Sequence, residues 1–318
     1  MNTRNRTIDT AKAILILLMA FGHTLLIVGV TELPGIYHFI FKQIYAFHMP
    51  AFFMISGFLY NTDKWKKRTI LEYAIAKFKQ VIIPYFFFEF IAAAMKRFFN
   101  WGTYDSLLDT LLNILSVQCY VPANWYLIVY FFSSLLFFLL ANHCSKHMLA
   151  TFSFISIFLV GLFPNCLPLE ISRILLAASF ISFGYIGKNI FLQNYPPLWI
   201  LLSLVITVSV SVLNPGVVYL NNAIIHNPVY FLIAALAGTF FILQISQRIH
   251  SRWLHFIGAN TIIILGLHSN INYMISYFTY LIPEFWFIML MCVFSFALLS
   301  IIIPFINRFL PKAVGKWR

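Results

Sequence analysis

Residues 14–30 read ILILLMAFGHTLLIVGV. A run this apolar, begun near residue 10, approaches the roughly 20 residues a helix needs to cross the hydrocarbon core. It predicts a membrane span over about 10–30, with His23 in its lower-energy environment only if the ring avoids lipid. An ionisable side chain in hydrocarbon is costly, so it faces a bundle interior or an aqueous cavity and marks function by default. His48 and His268 lie in two other apolar runs. If each run crosses the membrane, the three rings share one depth, which predicts a buried polar site.

Composition agrees with that class. Of 318 residues, 61% are hydrophobic and only 9% charged, and the mean hydropathy is +0.87. A soluble domain carries about 25% charge. The 36 phenylalanines suit lipid-facing helices and interfacial belts. A net charge of +12 raises nucleic acid as a partner, but the basic residues sit in short clusters between apolar runs, so no nucleic-acid partner is expected. The first run is too long for a signal-peptide core and is followed by further spans.

About ten spans can be drawn, near 10–30, 37–60, 80–98, 124–142, 148–163, 172–191, 197–213, 228–246, 257–278 and 284–306. The fifth and seventh are short. The connections between them are too small to fold alone, so the whole of 1–318 is expected to be one transmembrane domain. With the N-terminus in the cytoplasm, all but Lys42, Lys96, Arg97 and Arg173 of the 21 basic residues, from Arg4 to Arg318, fall on inside segments. Glu32, Asp105, Asp109, Glu170 and Glu284 fall outside. This is the positive-inside bias, and an even span count puts both termini in the cytoplasm. Cys119 and Cys166 fall in outside loops, where a disulfide is permitted and two separate thiols are equally compatible with the pattern.

Several segments carry chemistry. Arg6 and Asp9 stand at the inner edge of the first span as a helix-start ion pair or as one end of a site. His23 lies 14 residues beyond Asp9, about 21 Å along an unbroken helix, so the two cannot touch. In YAFHMPAFFMISGFLYN, Pro50 removes a backbone donor and is expected to break the second helix. His48 would then sit beside freed carbonyls, and Ser56 and Gly57 would allow close packing. KFKQVIIPYFF joins Lys77 and Lys79 to a proline-bent span, where they either snorkel to the interface or receive a phosphate. Trp125 opens the next span, and FIGANTIIILGLHSNIN is unusually rich in Asn for a helix in lipid.

In order along the chain, Arg6–Asp9 with His23, FHMPAFFMISGF (Phe47–Phe58), basic residues before IIPY (Ile82–Tyr85), NWYL (Asn124–Leu127), SFISFGYIGKN and IGANT…LH ending at His268 resemble the membrane-bound acyltransferase-3 family. The likeness is to its fucose 4-O-acetylase-like branch. It implies an all-α integral protein of the bacterial cytoplasmic (inner) membrane. It also implies transfer of an acetyl group from acetyl-CoA, as cosubstrate, to a hydroxyl of a surface sugar or polysaccharide, free or lipid-linked. On that reading His23 is the general base or acyl relay. His48 and His268 line the pocket or donate to the oxyanion, and Arg6, Asp9, Lys77, Lys79, Ser56 and Trp125 hold the donor. The family often carries Arg before IIPY where Lys77 and Lys79 stand, and a lysine lacks the planar fork that grips phosphate bidentately.

Other classes compete. A small-solute or proton-coupled transporter shares mid-membrane histidines and interrupted helices. Against it, duplicated halves are not evident, and Glu89 is almost alone as a carboxylate within a span. A scaffold protein would give no reason for three histidines at one depth. A three-histidine metal site would lack an evident carboxylate partner, so no metal is expected.

Overall fold

A computed structural model describes residues 5–29, 34–99, 106–116, 119–276 and 284–317. Arg4, Glu32, Asp105 and Arg318, which entered the charge pattern, lie outside these residues. The architecture is all-helical. Among the described residues there is no strand, only an isolated bridge between Tyr219 and Ile224.

The helices are α1 (Arg6–Val28), α2 (Gly35–Phe58), α3 (Thr62–Trp65), α4 (Ile70–Lys77), α5 (Ile83–Phe98), α6 (Leu107–Leu115), α7 (Trp125–His143), α8 (Lys146–Leu162), α9 (Leu169–Phe191), α10 (Pro197–Leu213), α11 (Pro228–Ser246), α12 (Arg252–Ala259), α13 (Thr261–Ser276) and α14 (Glu284–Phe309). Every expected span falls on a helix or a helix pair. Among the described residues, six helical stretches are long and apolar enough to cross a membrane unaided. The pair α12 and α13, bent by 83°, makes a seventh if it is one span. The others are the short α8 and α10, 17 residues each, and α2, whose 24 residues include His38, Lys42, Gln43 and His48.

Local chemistry sets the ends. The Asn5 side chain accepts from Ile8 N and starts α1, satisfying a donor that the first turn leaves over. Thr69 and Glu72 form a reciprocal capping box before α4.

Pro50 does not break the second helix. α2 runs through it from Gly35 to Phe58. In a bundle, neighbouring helices and side chains make up for a missing backbone donor, so proline is tolerated inside a span. Here the His48 ring adds a local contact, its Nδ1 lying 2.8 Å from Ile44 O one turn back.

The bent third span is handled differently. A π-turn over Phe78–Ile82 joins α4 to α5 just before Pro84. The wider turn takes up the residue that proline displaces, and its backbone carbonyls find partners in the C-terminal segment. Trp317 Nε1 donates to Lys79 O at 2.9 Å. Lys316 Nζ meanwhile reaches Asn260 Oδ1 and Asn307 Oδ1, each at 2.6 Å. Asn260 is the residue at which α12 ends and the chain turns into α13.

Helix pairs without a lipid-driven hydrophobic force rely on close backbone approach at small residues. α2 crosses α9 in this way. A Cβ on Gly57 would fall 2.0 Å from Ile181 O, and one on Gly184 would fall 2.0 Å from Met54 O. α1 lies inside the bundle, touching α2, α11, α12, α13 and α14. Polar ties cross these contacts: Asn272 Nδ2 on α13 donates to Thr24 Oγ1 on α1 at 3.0 Å, and Ser295 on α14 donates to Asn272. Cys119 and Cys166 are not joined to each other.

Candidate active site

Four helices, α1, α2, α7 and α13, enclose two cavities stacked end to end. On α1 one face supplies Lys12, Ile16 and Met19 to the first cavity and His23, Leu26 and Ile27 to the second. The spacing of three and four residues keeps them in line. On α2 the series runs Ser56, Ile55, Phe52 and Met49 into the first cavity, then Met49, His48 and Tyr45 into the second. The first, the Lys12 cavity, has a volume of about 170 Å3. The second, the His23 cavity, has about 330 Å3.

The histidine arrangement fixes the tautomers. His268 is fully buried. Its Nδ1 lies 2.8 Å from Ile264 O and 3.0 Å from Leu265 O. Carbonyl oxygens only accept, so this nitrogen carries the proton. In the neutral ring Nε2 is then an acceptor, and it sits 2.8 Å from His23 Nδ1. His23 Nδ1 must donate, which leaves the lone pair on His23 Nε2. The Ser269 hydroxyl, 3.1 Å from the same His268 Nε2, is a second donor to it. The two rings stack with centroids 5.0 Å apart. This is the base-and-orienter relation of a catalytic dyad: one imidazole holds the other in a reactive tautomer and stabilises it once charged.

The rest of the His23 cavity mixes aliphatic walls with aromatic rings and amides. Tyr45, Trp125 and Tyr273 line it, with Tyr219, Asn221 and Asn222 from the loop between α10 and α11. That loop is pinned at several points. Lys42 Nζ donates to Asn214 O at 2.8 Å, the Asn214 side chain holds Ile225 O and Asn227 N, and His226 Nε2 lies 3.0 Å from Val217 O. Trp125 is placed by a buried carboxylate. Glu89 on α5 accepts from Tyr120 N at 2.6 Å and from Asn124 Nδ2 at 2.7 Å, with Val121 N at 3.4 Å. It thereby fixes the turn that leads into α7.

The Lys12 cavity is apolar in its upper part and polar below, where Lys12, Ser56, Gln80, Tyr130 and Thr261 join it. Lys12 Nζ pairs with Asp9 at 3.2 Å. Tyr130 receives a hydrogen bond of 2.6 Å from Lys77 Nζ, and the same ammonium lies 4.8 Å from the Tyr130 ring and 5.6 Å from the Tyr73 ring.

The residues singled out from sequence thus separate into groups. His23 and His268 touch; His23 lines its cavity together with His48, 2% exposed, and Trp125, while His268 stands behind His23 and does not line it. Ser56 lines the Lys12 cavity, and Lys77 meets it through Tyr130. Asp9 is buried against Lys12 and, as its spacing requires, does not reach His23 along the unbroken α1. Arg6 is exposed in the first turn. Lys79 points away from Lys77, its ammonium 5.3 Å from the Trp317 ring. The sequence reading missed Met49, Tyr126, Tyr130, Ser269 and the loop at 218–222. Only the helical spacing along α1 and α2 carried a signal for any of them.

With that geometry in hand, comparison with known proteins identifies the class. A family model described as an acyltransferase domain, of the acyltransferase-3 type, matches residues 5–314, and the chain belongs to that family. That domain is built here on several helices long and apolar enough to cross a membrane. The nodulation protein NolL of Mesorhizobium japonicum is 30% identical over 162 residues, covering 50% of this chain and 40% of that protein. The shared region is thus less than half of that relative's length. No solved structure matches.

Proposed function

We propose that the protein moves an acetyl group from acetyl-CoA to a hydroxyl of a cell-surface sugar, with His23 as general base or acyl relay. The observation that carries this reading is His23, bonded by His268, opening onto one cavity that adjoins another lined by Lys12 and Ser56. In direct transfer, the acceptor hydroxyl gives its proton to His23 Nε2 as its oxygen attacks the thioester carbonyl. The C–S bond then breaks and the CoA thiolate takes up the proton. In a relay, His23 Nε2 itself attacks the carbonyl, the C–S bond breaks and the CoA thiolate leaves; the acceptor oxygen then attacks the acyl-imidazolium, the C–N bond breaks, and the hydroxyl proton passes to the thiolate. Both routes need the lone pair that His268 leaves on Nε2. The aromatic faces and amides of the His23 cavity suit a polyhydroxylated ring, since apolar walls with a few placed polar groups orient small ligands. Lys12, Gln80 and the Lys77–Tyr130 pair suit the donor. The basic run Lys64, Lys66, Lys67 and Arg68 follows the end of α2 and suits the phosphates of CoA.

Purified protein given labelled acetyl-CoA is expected to release free CoA and label a sugar-bearing acceptor. Glycans of cells lacking the gene should lose O-acetyl groups by mass spectrometry; unchanged decoration overturns the sugar assignment. In the same assay His268→Ala is expected to lower turnover roughly 100-fold, within the range for an acid–base component, with the donor Michaelis constant unchanged.

Lys77 and Lys79 separate in a second measurement. Lys77→Ala removes a charge-assisted hydrogen bond worth about 1.5–3 kcal/mol and should raise the donor Michaelis constant roughly tenfold or more. Lys79→Ala should leave it alone. An unchanged constant for Lys77→Ala as well would return both residues to interfacial anchors.

A further inference from the structure

The two cavities meet at one side chain. Among the described residues, Met49 alone lines both. It is 8% exposed and stands between His48 and Pro50, where α2 lacks a backbone donor. Around it the Lys12 cavity is walled by Ile16, Met19, Phe52, Leu127 and Leu265. Directly beyond it lie His23 and His48. A donor held at Lys12 and Ser56 and an acceptor held beside Trp125 are therefore on opposite sides of one thioether.

We propose that Met49 is the gate through which the acyl group passes: it sets how wide an acyl group reaches His23 and keeps water in the His23 cavity from the thioester. This rests on the acyl-CoA reading above. Methionine suits the role because its side chain is unbranched, with three rotatable bonds, and adapts to whatever passes. The gate selects by cross-section rather than by length, since a straight acyl chain presents the same width however long it is. Its second consequence is coupling. With the gate closed, water cannot replace the sugar hydroxyl as the group that attacks the carbonyl.

The test uses full-length protein in lipid nanodiscs, with acetyl-CoA and isobutyryl-CoA as donors and thiol release as the readout. Met49→Ala is expected to raise acceptor-free acetyl-CoA hydrolysis at least fivefold. It should also shift the isobutyryl-to-acetyl ratio of kcat/KM at least tenfold toward the branched donor. Met49→Phe should lower acetyl turnover at least tenfold with the donor Michaelis constant unchanged. Met49→Leu conserves volume but is branched and has fewer rotatable bonds; it should keep acceptor-free hydrolysis as low as in the wild type while slowing acetyl turnover, and a hydrolysis rate as high as that of Met49→Ala would overturn the gate. If Met49→Ala hydrolyses and discriminates as wild type does, the gate is overturned while acyl transfer stands. If wild-type protein neither binds nor turns over acetyl-CoA, it is the donor reading that falls, and the gate with it.

Discussion

His23→Ala is expected to abolish acyl transfer to within background, a loss of roughly 100- to 10,000-fold, while the protein inserts and folds as before. The size of the effect follows from position. His23 Nε2 carries a lone pair that faces the cavity, because His268 Nδ1 donates to Ile264 O and Leu265 O and His268 Nε2 accepts from His23 Nδ1. His48 lines the same cavity and, with its Nδ1 donating to Ile44 O, also keeps a lone pair on Nε2, but it is His23 that the His268 ring orients. Folding should survive because His23 contributes one side-chain bond at a cavity wall, whereas α1 is held along its length by α2, α12 and α13. Product formation by mass spectrometry, beside a thermal melt of the same preparation, makes the measurement. Retained product with a native melt would remove His23 from the chemistry.

Glu89→Ala is expected to act on stability before activity. The carboxylate is 0% exposed, and its removal strands Tyr120 N and Asn124 Nδ2, both bonded to it at under 3 Å. A buried donor left without an acceptor costs about 1–3 kcal/mol. Each kcal/mol lowers the melting temperature by roughly 2–4 °C at 150–250 residues and by less in a chain of 318, so a loss of roughly 3–10 °C is expected by fluorescence-detected melting. Glu89→Gln keeps one acceptor oxygen and should fall between. A native melt for Glu89→Ala would mean that the turn before Trp125 is held by something else.

These two residues also mark what the amino-acid pattern disclosed. Depth along a span was readable, because helical rise is constant and a histidine's place in an apolar run fixes its level. His23, His48 and His268 were found that way. Facing was readable in part: Lys12, Ile16, Met19 and His23 recur at helical spacing, and that alone places them in one line. Lateral pairing was not. Nothing in either local stretch states that His268 rather than His48 bonds His23, or that Glu89 reaches across to the turn at 120–124, because such contacts are set by how distant helices pack. Glu89 was noticed only as a rare carboxylate within a span, and its three donors come from a turn some thirty residues away. Pro50 misled for a related reason. Its missing donor is a local defect, but whether a helix breaks there depends on surroundings that can compensate, and α2 stays whole. Trp125, grouped with the donor-binding residues from sequence, stands in the histidine cavity because Glu89 anchors the start of α7 there.

The end of the chain has a mechanical consequence. Trp317 ties to the π-turn, which contributes Gln80 and Val81 to the Lys12 cavity, and Lys316 ties to Asn260, beside Thr261 and Ile262 on the opposite wall. Two neighbouring residues thus bridge both sides of the same mouth like a clasp. The walls cannot drift apart independently: whatever widens the entrance must either carry this short strap along or unfasten it.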